Sequence, residues 1–217
     1  MHRYLVTGSD TDVGKTRVTA TLARALFLAG KDPTIVKLVQ TGLPRGVPGD
    51  AARAGALAGT RFVELARFER GSDPWSAALA QGAASVHANE LAAALESIPG
   101  ALVAEGAGGL MVPLNQHEHF GHVAAKAKLL VVLTIGLRTG CLNHALLTHN
   151  LCEQFGLTVA GAVLVERWKR TEPGYVQEVE RTLQGKLKIL GILPFADDEP
   201  ASVASGVSLF DPLVYAE

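Results

Sequence analysis

The sequence predicts an α/β fold: a doubly wound, mostly parallel β-sheet with helices on both faces. Apolar runs of strand length alternate with longer helical patterns along all 217 residues, which is the arrangement of a parallel sheet covered by helices. No repeat, low-complexity tract or linker interrupts this alternation. One domain spanning residues 1–217 is therefore expected.

The elements follow in order from periodicity and from their stop signals. Strands are predicted near 3–7, 34–39, 101–105, 129–135, 159–165 and 187–192. Helices are predicted over 15–29, 50–57, 88–97, 123–128, 141–155 and 175–183. In the first helix Val18, Leu22 and Leu26 share one face, and Gly30 is a typical C-terminal stop. Residues 41–50 are rich in glycine and proline, so they are predicted to form a loop.

Composition narrows the class of protein. Lysine and arginine total 20 against 21 acidic residues, a net charge of -1, which argues against a general binder of nucleic acid or membrane surfaces. Cys141 and Cys152 do not have metal-ligand spacing, and so few cysteines suit a reducing compartment. The first apolar run is too short for a signal-peptide core, and no run reaches membrane-spanning length. A cytoplasmic location is expected.

Residues 8–16 read GSDTDVGKT and follow the apolar run Tyr4-Leu5-Val6, which indicates a phosphate-binding loop between a strand and a helix. The Lys15 ammonium would reach the outer phosphates, and the Thr16 hydroxyl would bind Mg²⁺. The usual eight-residue pattern requires glycine where this chain has Ser9. The alternative is a chance GKT in an ordinary turn. Because the strand, lysine, threonine and helix all agree, the sequence favours a P-loop NTPase type of fold.

Ligands of such sheets bind outside the carboxyl ends of the strands, and three of these ends carry polar or glycine-rich groups. Lys37 interrupts an otherwise apolar second strand, where a lysine is costly to bury without an anion. Glu105 ends the third strand and precedes Gly-Ala-Gly-Gly, so its carboxylate is suited to hold Mg²⁺ beside a closely approaching ligand. The run to Gly136 leads into a helix start at 139–143, where unpaired N–H groups could receive an anion.

These motifs together resemble the dethiobiotin synthetase family, the ATP-dependent carboxylases of biotin synthesis. The resemblance is carried by GSDTDVGKT at 8–16, Lys37 with QTG at 40–42, EGAGG at 105–109, GCLNHALLT at 140–148 and LGILP at 190–194. It covers nearly the whole chain in the right order. It implies an enzyme that joins CO₂ to the two neighbouring amines of 7,8-diaminononanoate and closes a cyclic urea, while ATP becomes ADP and phosphate.

The resemblance also implies a role for each matching residue. Lys15 and Lys37 would flank a carbamate and the migrating phosphoryl group. Substrate contacts are implied for Thr11, Asp12, Lys37, Thr41, Gly108, Gly140, Cys141, Leu142 and Asn143, with Thr11 counted among the catalytic residues. Nucleotide contacts are implied for Asp12, Val13, Gly14, Lys15, Thr16, Val165, Glu166, Pro194 and Phe195. Thr16, Asp50 and Glu105 would arrange Mg²⁺, although Asp50 could instead be an ordinary helix N-cap.

In the family, the helix start matching Gly140 to Asn143 receives the distal carboxylate of the substrate from the other subunit of a homodimer. The resemblance therefore implies shared active sites here, whereas a simple capped helix is the alternative. Cys141 is more typical of a packing residue than of a nucleophile, because this reaction needs no thiol.

Three segments depart from the family pattern or lie outside it. Relatives that select adenine carry an asparagine near the end of the strand at 159–165, but this chain reads LVERW at 164–168, so its base selectivity stays open. The substrate-wall element appears as Asp73-Pro74-Trp75. His117, His119 and His122 could bind a transition metal, but a polar surface loop is the favoured interpretation.

Two other classes share the loop and the fold. Partition and septum-positioning ATPases are nucleotide-switched binding modules, but they typically carry a second lysine early in the loop and a basic amphipathic tail. This chain opens its loop without a lysine, and residues 208–215 contain proline and no basic residue. Amide-forming synthetases of cobalamin-type macrocycles usually need an additional glutamine-hydrolysing domain, for which this chain has no room.

Overall fold

The computed structural model describes residues 2–169, 172 and 174–215. Its strands are β1 (Arg3–Gly8), β2 (Thr34–Lys37), β3 (Gln40–Thr41), β4 (Arg61–Glu64), β5 (Arg67–Phe68), β6 (Leu102–Glu105), β7 (Leu130–Gly136), β8 (Val159–Val165) and β9 (Ile189–Leu193). Seven of them form one sheet in the order β4-β2-β6-β1-β7-β8-β9, with every pairing parallel. The short strands β3 and β5 pair separately.

Helices cover both faces of the main sheet, which confirms the predicted fold class. They are α1 (Lys15–Leu28), α2 (Asp50–Ala58), α3 (Pro74–Ala80), α4 (Ala88–Glu96), α5 (Phe120–Lys126), α6 (Cys141–Gln154), α7 (Tyr175–Leu183), α8 (Glu199–Ser205) and α9 (Asp211–Val214), with a 3₁₀ helix at Val207–Phe210. Val6 of β1 packs with α1, α2, α8 and α9 on one face, whereas its neighbour Leu5 packs with α3, α4 and α5 on the other. Residues of α6 and α7 pack against β7 and β8 on that second face.

The predicted strand at 34–39 is shorter in the structure than in the sequence analysis. The ladder of β2 ends at Lys37, and Leu38 and Val39 are buried outside any strand as the chain passes into β3. The predicted loop is correspondingly limited to 42–49, because Thr41 belongs to β3 and Asp50 begins α2. An apolar run alone could not show where the chain leaves the sheet.

The sequence analysis missed several short elements at the periphery. The edge strand β4 is short and mixed, and its apolar residues Phe62 and Val63 are exposed, so no period-two burial pattern marks it. Helices α3, α8 and α9 have seven residues or fewer, too few for a helical period to stand out. Within the described residues, no helix is both long and apolar enough to cross a membrane.

The C-terminal helices belong to the core of the first face. Phe210 is fully buried there, together with Leu213, Val214 and the apolar face of α1. We expect Phe210→Ala to lower the free energy of unfolding by about 3–5 kcal/mol, because it leaves a cavity among packed side chains. Denaturant unfolding followed by circular dichroism measures the change. Leu79→Ala, at a side chain that is 63% exposed, should change stability by less than about 0.5 kcal/mol. An equal loss in both variants would contradict the packing assigned to Phe210.

Candidate functional site

A cavity of about 400 Å³ opens at the carboxyl ends of β1, β2 and β6, beside the N-terminus of α1. Ten of the residues with a predicted role in the site line it: Thr11, Asp12, Gly14, Lys15, Thr16, Lys37, Thr41, Asp50, Glu105 and Gly108. They come together because parallel strands end at the same edge of the sheet. Lys37 and Glu105 are direct register partners of β2 and β6, and Glu105 is also the partner of Val6 in β1.

The loop between β1 and α1 wraps around the start of the helix. Gly14 precedes α1 with φ 95°, a left-handed conformation that favours glycine, and a Cβ there would lie 2.9 Å from Val165 Cγ1. Lys15 Nζ donates a hydrogen bond to the Asp10 carbonyl oxygen at 3.0 Å, so the lysine folds back over its own loop. The first N–H groups of α1 and this ammonium belong to the same loop, a combination that can bind phosphate.

Lys15 is only 8% exposed, and no carboxylate of the described residues lies within salt-bridge distance of it. Burial lowers the pKa of Lys15 to about 8, and the positive charge of Lys37 adds to this effect while Glu105 opposes it. An anionic ligand would supply the missing negative charge.

Lys37 occupies the centre of a buried ion cluster. Its Nζ lies 2.6 Å from Asp50 Oδ2 and 2.7 Å from Glu105 Oε1, and it donates to the Gly106 carbonyl oxygen at 3.1 Å. Burial by itself would lower the pKa of Lys37, but Glu105 and Asp50 outweigh burial and raise it. The anions that a lysine at this position requires are therefore carboxylates of the protein itself.

Three oxygen-bearing side chains surround this point. The Thr16 hydroxyl donates to Glu105 Oε1 at 3.1 Å, and Lys37 joins Glu105 to Asp50. Two carboxylates and a hydroxyl are hard oxygen donors that suit Mg²⁺, whose remaining ligands would be phosphate oxygens and water. The helix-cap alternative for Asp50 is wrong, because Gly49 is the N-cap of α2 and the Asp50 carboxylate pairs with Lys37.

Arg17 is a site residue that sequence reasoning missed. Its guanidinium is buried at the ends of β8 and β9, where Nη2 donates to the carbonyl oxygens of Glu166 and Leu193, each at 3.3 Å. Burial lowers the pKa of Arg17, and its Nε has no hydrogen-bond partner in the part of the chain described. The only available signal was its place directly after Lys15-Thr16.

The predicted nucleotide residues outside the main cavity lie beside Arg17. Val165 packs on Gly14, and Glu166 Oε2 accepts a hydrogen bond from the Phe195 N–H at 3.3 Å. Pro194 stands between Leu193 and Phe195, at the end of β9. Val13 is buried against Gly136 and does not line the main cavity.

The helix start at Gly140, Cys141, Leu142 and Asn143 does not line the main cavity of its own chain. Gly140 and Asn143 are exposed, whereas Cys141 is buried with its Sγ 3.5 Å from the Tyr175 hydroxyl. Beside this helix a second hollow of about 440 Å³ has the exposed apolar side chains Met111 and Leu147 on its walls.

The three histidines lie at the start of α5. The rings of His119 and His122 are 4.2 Å apart, both meet Phe155 edge-on, and His122 Nδ1 accepts a hydrogen bond from the His119 N–H. The structure therefore assigns this pair to helix capping and packing. Across the described residues, no group of three or more His, Cys, Asp or Glu side chains is arranged to hold a metal ion.

Comparison with solved structures finds proteins with the same fold. A cell division ATPase MinD from Pyrococcus furiosus matches with a TM-score of 0.59 and 18% identity, covering 100% of this chain and 93% of that one. A ParA family ATPase from Chlorobium tepidum matches with a TM-score of 0.55 and 12% identity, over 100% and 93% of the two chains. At such identities the likeness shows the fold alone.

Comparison with sequences identifies the family. Residues 2–200 match a family described as an AAA domain. An ATP-dependent dethiobiotin synthetase from Rhodococcus jostii is 36% identical over 96% of this chain and 93% of its own length. One from Escherichia coli K12 is 31% identical over 94% and 95%. The chain is thus a member of the dethiobiotin synthetase family, the cyclo-ligases of biotin biosynthesis.

Proposed function

We propose that this chain converts 7,8-diaminononanoate, CO₂ and a nucleoside triphosphate into dethiobiotin, nucleoside diphosphate and phosphate. The observation that carries the proposal is that Lys15 and Lys37 line the same cavity as the phosphate loop and Thr41. A diamine and a triphosphate must meet in one place for this reaction, and their intermediates are anionic. Two buried ammonium groups in one cavity would stabilise those anions most where charge develops.

The proposed reaction has three steps. One amine adds to CO₂ and loses a proton, which gives a carbamate. The carbamate oxygen then takes the γ-phosphoryl group, with nucleoside diphosphate as the leaving group. The second amine attacks the carbonyl carbon of this mixed anhydride, phosphate leaves with the C–O electron pair, and the amine proton passes to solvent or phosphate. Positioning and cations supply most of the catalysis, as in other phosphoryl transfers.

Each side chain has a part in this sequence. Lys15 neutralises the transferring phosphoryl group, and Lys37 neutralises the carbamate. Thr11, Asp12, Thr41 and Gly108 contact the reacting end of the diamine. Thr16, Asp50 and Glu105 would hold Mg²⁺, which supplies charge neutralisation at the phosphate oxygens when it is bound.

We place the nucleotide base between the ends of β8 and β9, beside Arg17, Glu166, Pro194 and Phe195. None of the side chains at 164–168 is an amide that could read adenine. Arg17 and Glu166 offer a charged donor and a charged acceptor to a base edge. Use of more than one base is therefore expected.

We further propose a homodimer with shared active sites, located in the cytoplasm. The exposed hollow that contains Met111 and Leu147 would be covered by a second copy. That copy would bring its Gly140 to Asn143 helix start to the carboxylate end of the substrate. Cys141 and Cys152 are free thiols, which agrees with a reducing compartment.

Purified protein given diaminononanoate, bicarbonate, Mg²⁺ and each of the four nucleoside triphosphates should form dethiobiotin, detected by mass spectrometry, with more than one nucleotide. Lys15→Met should lower turnover at least ~1000-fold, since it removes a charge from the transition state. The same variant should unfold at an equal or higher temperature, because it relieves the cost of a buried ammonium. Absence of ring-closed product with all four nucleotides would refute the proposed function.

Mixing two inactive variants tests the shared site. Lys15→Met disables the phosphate side, and Asn143→Asp places a carboxylate against the carboxylate end of the substrate. If each site uses both copies, unfolding and refolding the two variants together should restore up to about a quarter of wild-type activity. Refolding either variant alone is the control. No recovery in a mixture that light scattering shows to be dimeric would contradict a shared site.

Nucleotide binding should depend on pH through Lys15. The pKa of Lys15 is about 8 without ligand, and a bound phosphate must raise it, so binding above pH 8 takes up a proton. The dissociation constant for ADP should therefore rise between about pH 8 and 9.5, by at most tenfold per pH unit. Calorimetry in two buffers of different ionisation enthalpy measures the uptake. Lys15→Met should show neither effect, and a wild-type constant that is flat across this window would contradict the assignment.

A further inference from the structure

We propose that Arg67 is a positioning residue that fixes Asp50 in the site by clamping the loop 42–49 to the sheet. This inference rests on the proposed role of Asp50 as a magnesium ligand. Arg67 itself lies outside the cavity lining, on the short strand β5. Its effect would pass to the site through the backbone that leads into α2.

Arg67 forms a two-pronged ion pair with Glu64 of the edge strand β4. Nε lies 2.5 Å from Oε1, and Nη2 lies 2.7 Å from Oε2. The side chains are only 18% and 22% exposed, so the pair is partly shielded from water. A bidentate arginine–carboxylate pair of this kind fixes the plane of the guanidinium.

The third guanidinium nitrogen holds the loop. Nη1 donates to the carbonyl oxygens of Pro44 at 2.8 Å and Val47 at 3.0 Å. Nη1 also lies 3.5 Å from the Leu43 carbonyl oxygen. Most of the loop is exposed, and within the described chain residues 43–48 make no hydrogen bond to any residue outside the loop except Arg67. The start of the loop is held separately, because the Gly42 N–H donates to the carbonyl oxygens of Phe68 and Arg70, each at 3.1 Å. Glycine and proline give residues 43–48 no regular structure of their own, so the position of this part of the loop depends on Arg67.

The C-terminal end of the loop, at Gly49, packs against the same Arg67–Glu64 pair. A Cβ on Gly49 would lie 2.9 Å from both Arg67 Nη2 and Glu64 Oε2, and 2.6 Å from Gln40 Oε1. The Asp50 N–H then donates to Gln40 Oε1 at 2.8 Å, and Gln40 is the register partner of Arg67. The Arg67–Glu64 pair therefore packs against the backbone of Gly49, and Gly49 directly precedes Asp50.

The two acids of the ion cluster differ in how they are held. Glu105 is 2% exposed and lies on a strand that is hydrogen-bonded on both sides. Asp50 has a side chain that is 35% exposed and stands at the junction of the loop and α2. Loss of the clamp should therefore displace Asp50 and leave Glu105 in place. Mg²⁺ binding should weaken, as it does when a hydrogen-bonded support of a metal ligand is removed.

The experiment compares the wild type with Arg67→Met, Arg67→Lys and Arg61→Met. Arg61 is the matched control, because it lies at the opposite end of β4 from Glu64 and pairs with Asp32 in solvent. Arg67→Met should raise the Mg²⁺ concentration for half-maximal ring closure about 10–100-fold. Arg67→Lys, which keeps the charge without the fork, should give an intermediate value. Arg61→Met should stay within about twofold of the wild type.

A second measurement separates positioning from folding and from the proposed function. Calorimetry of ADP with and without Mg²⁺ gives the factor by which the metal tightens ADP binding. Arg67→Met should reduce this factor by about as much as it raises the Mg²⁺ concentration for half-maximal ring closure. The ADP affinity measured without metal should not fall by the same factor. An unchanged metal effect with a lower unfolding temperature would overturn the proposal and assign Arg67 to stability alone. If the wild type closes no ring with any nucleotide, the proposed function fails, while this binding measurement still decides the role of Arg67.

Discussion

The site depends on one buried ion cluster, in which Lys37 stands between Glu105 and Asp50. Burying the charges of Lys37 and Glu105 costs several kcal/mol for each before they are paired, so the cluster exists only because their geometry is complementary. Lys37 and Glu105 are opposite one another in adjacent parallel strands, which makes their separation a property of the sheet. Removing the charge of Lys37 would leave Glu105 buried without its cation, whereas removing the charge of Glu105 would leave Lys37 paired with Asp50 alone.

This cluster also determines the charge that a substrate meets in the cavity. Two carboxylates and one ammonium leave the cluster with a surplus of one negative charge. The second ammonium, Lys15, is buried beside it with a pKa lowered to about 8. Together, Lys15, Lys37, Asp50 and Glu105 carry two positive and two negative charges. A phosphate arriving at Lys15 meets a cation that gains from being paired, which is the condition for electrostatic stabilisation without reorganisation.

The sequence predicted those site residues that lie in one contiguous motif or at the ends of apolar runs. Gly14, Lys15 and Thr16 form a contiguous motif, and Lys37 and Glu105 are recognisable as charges at the ends of apolar runs. Arg67 could not be found in this way, since its role depends on its pairing with Gln40 in two strands of two residues each. Arg17 was missed for a related reason, because a lone arginine in a helical pattern is usually solvated. The mistaken helix-cap alternative for Asp50 came from local propensity, which a tertiary ion pair overrides.

The same sheet serves switch ATPases and synthetases, so the difference must lie in what surrounds the phosphate loop. Here the C-terminal helices are packed into the core through Phe210 and Leu213, which are buried against α1. On the opposite side of the loop, Asp10 forms an ion pair with Arg138, two residues before Gly140. The phosphate site is thereby linked to the helix start that does not line its own cavity. The proposed function uses this link, because one chain would bind the nucleotide and the helix start of a second copy would bind the distal carboxylate of the substrate.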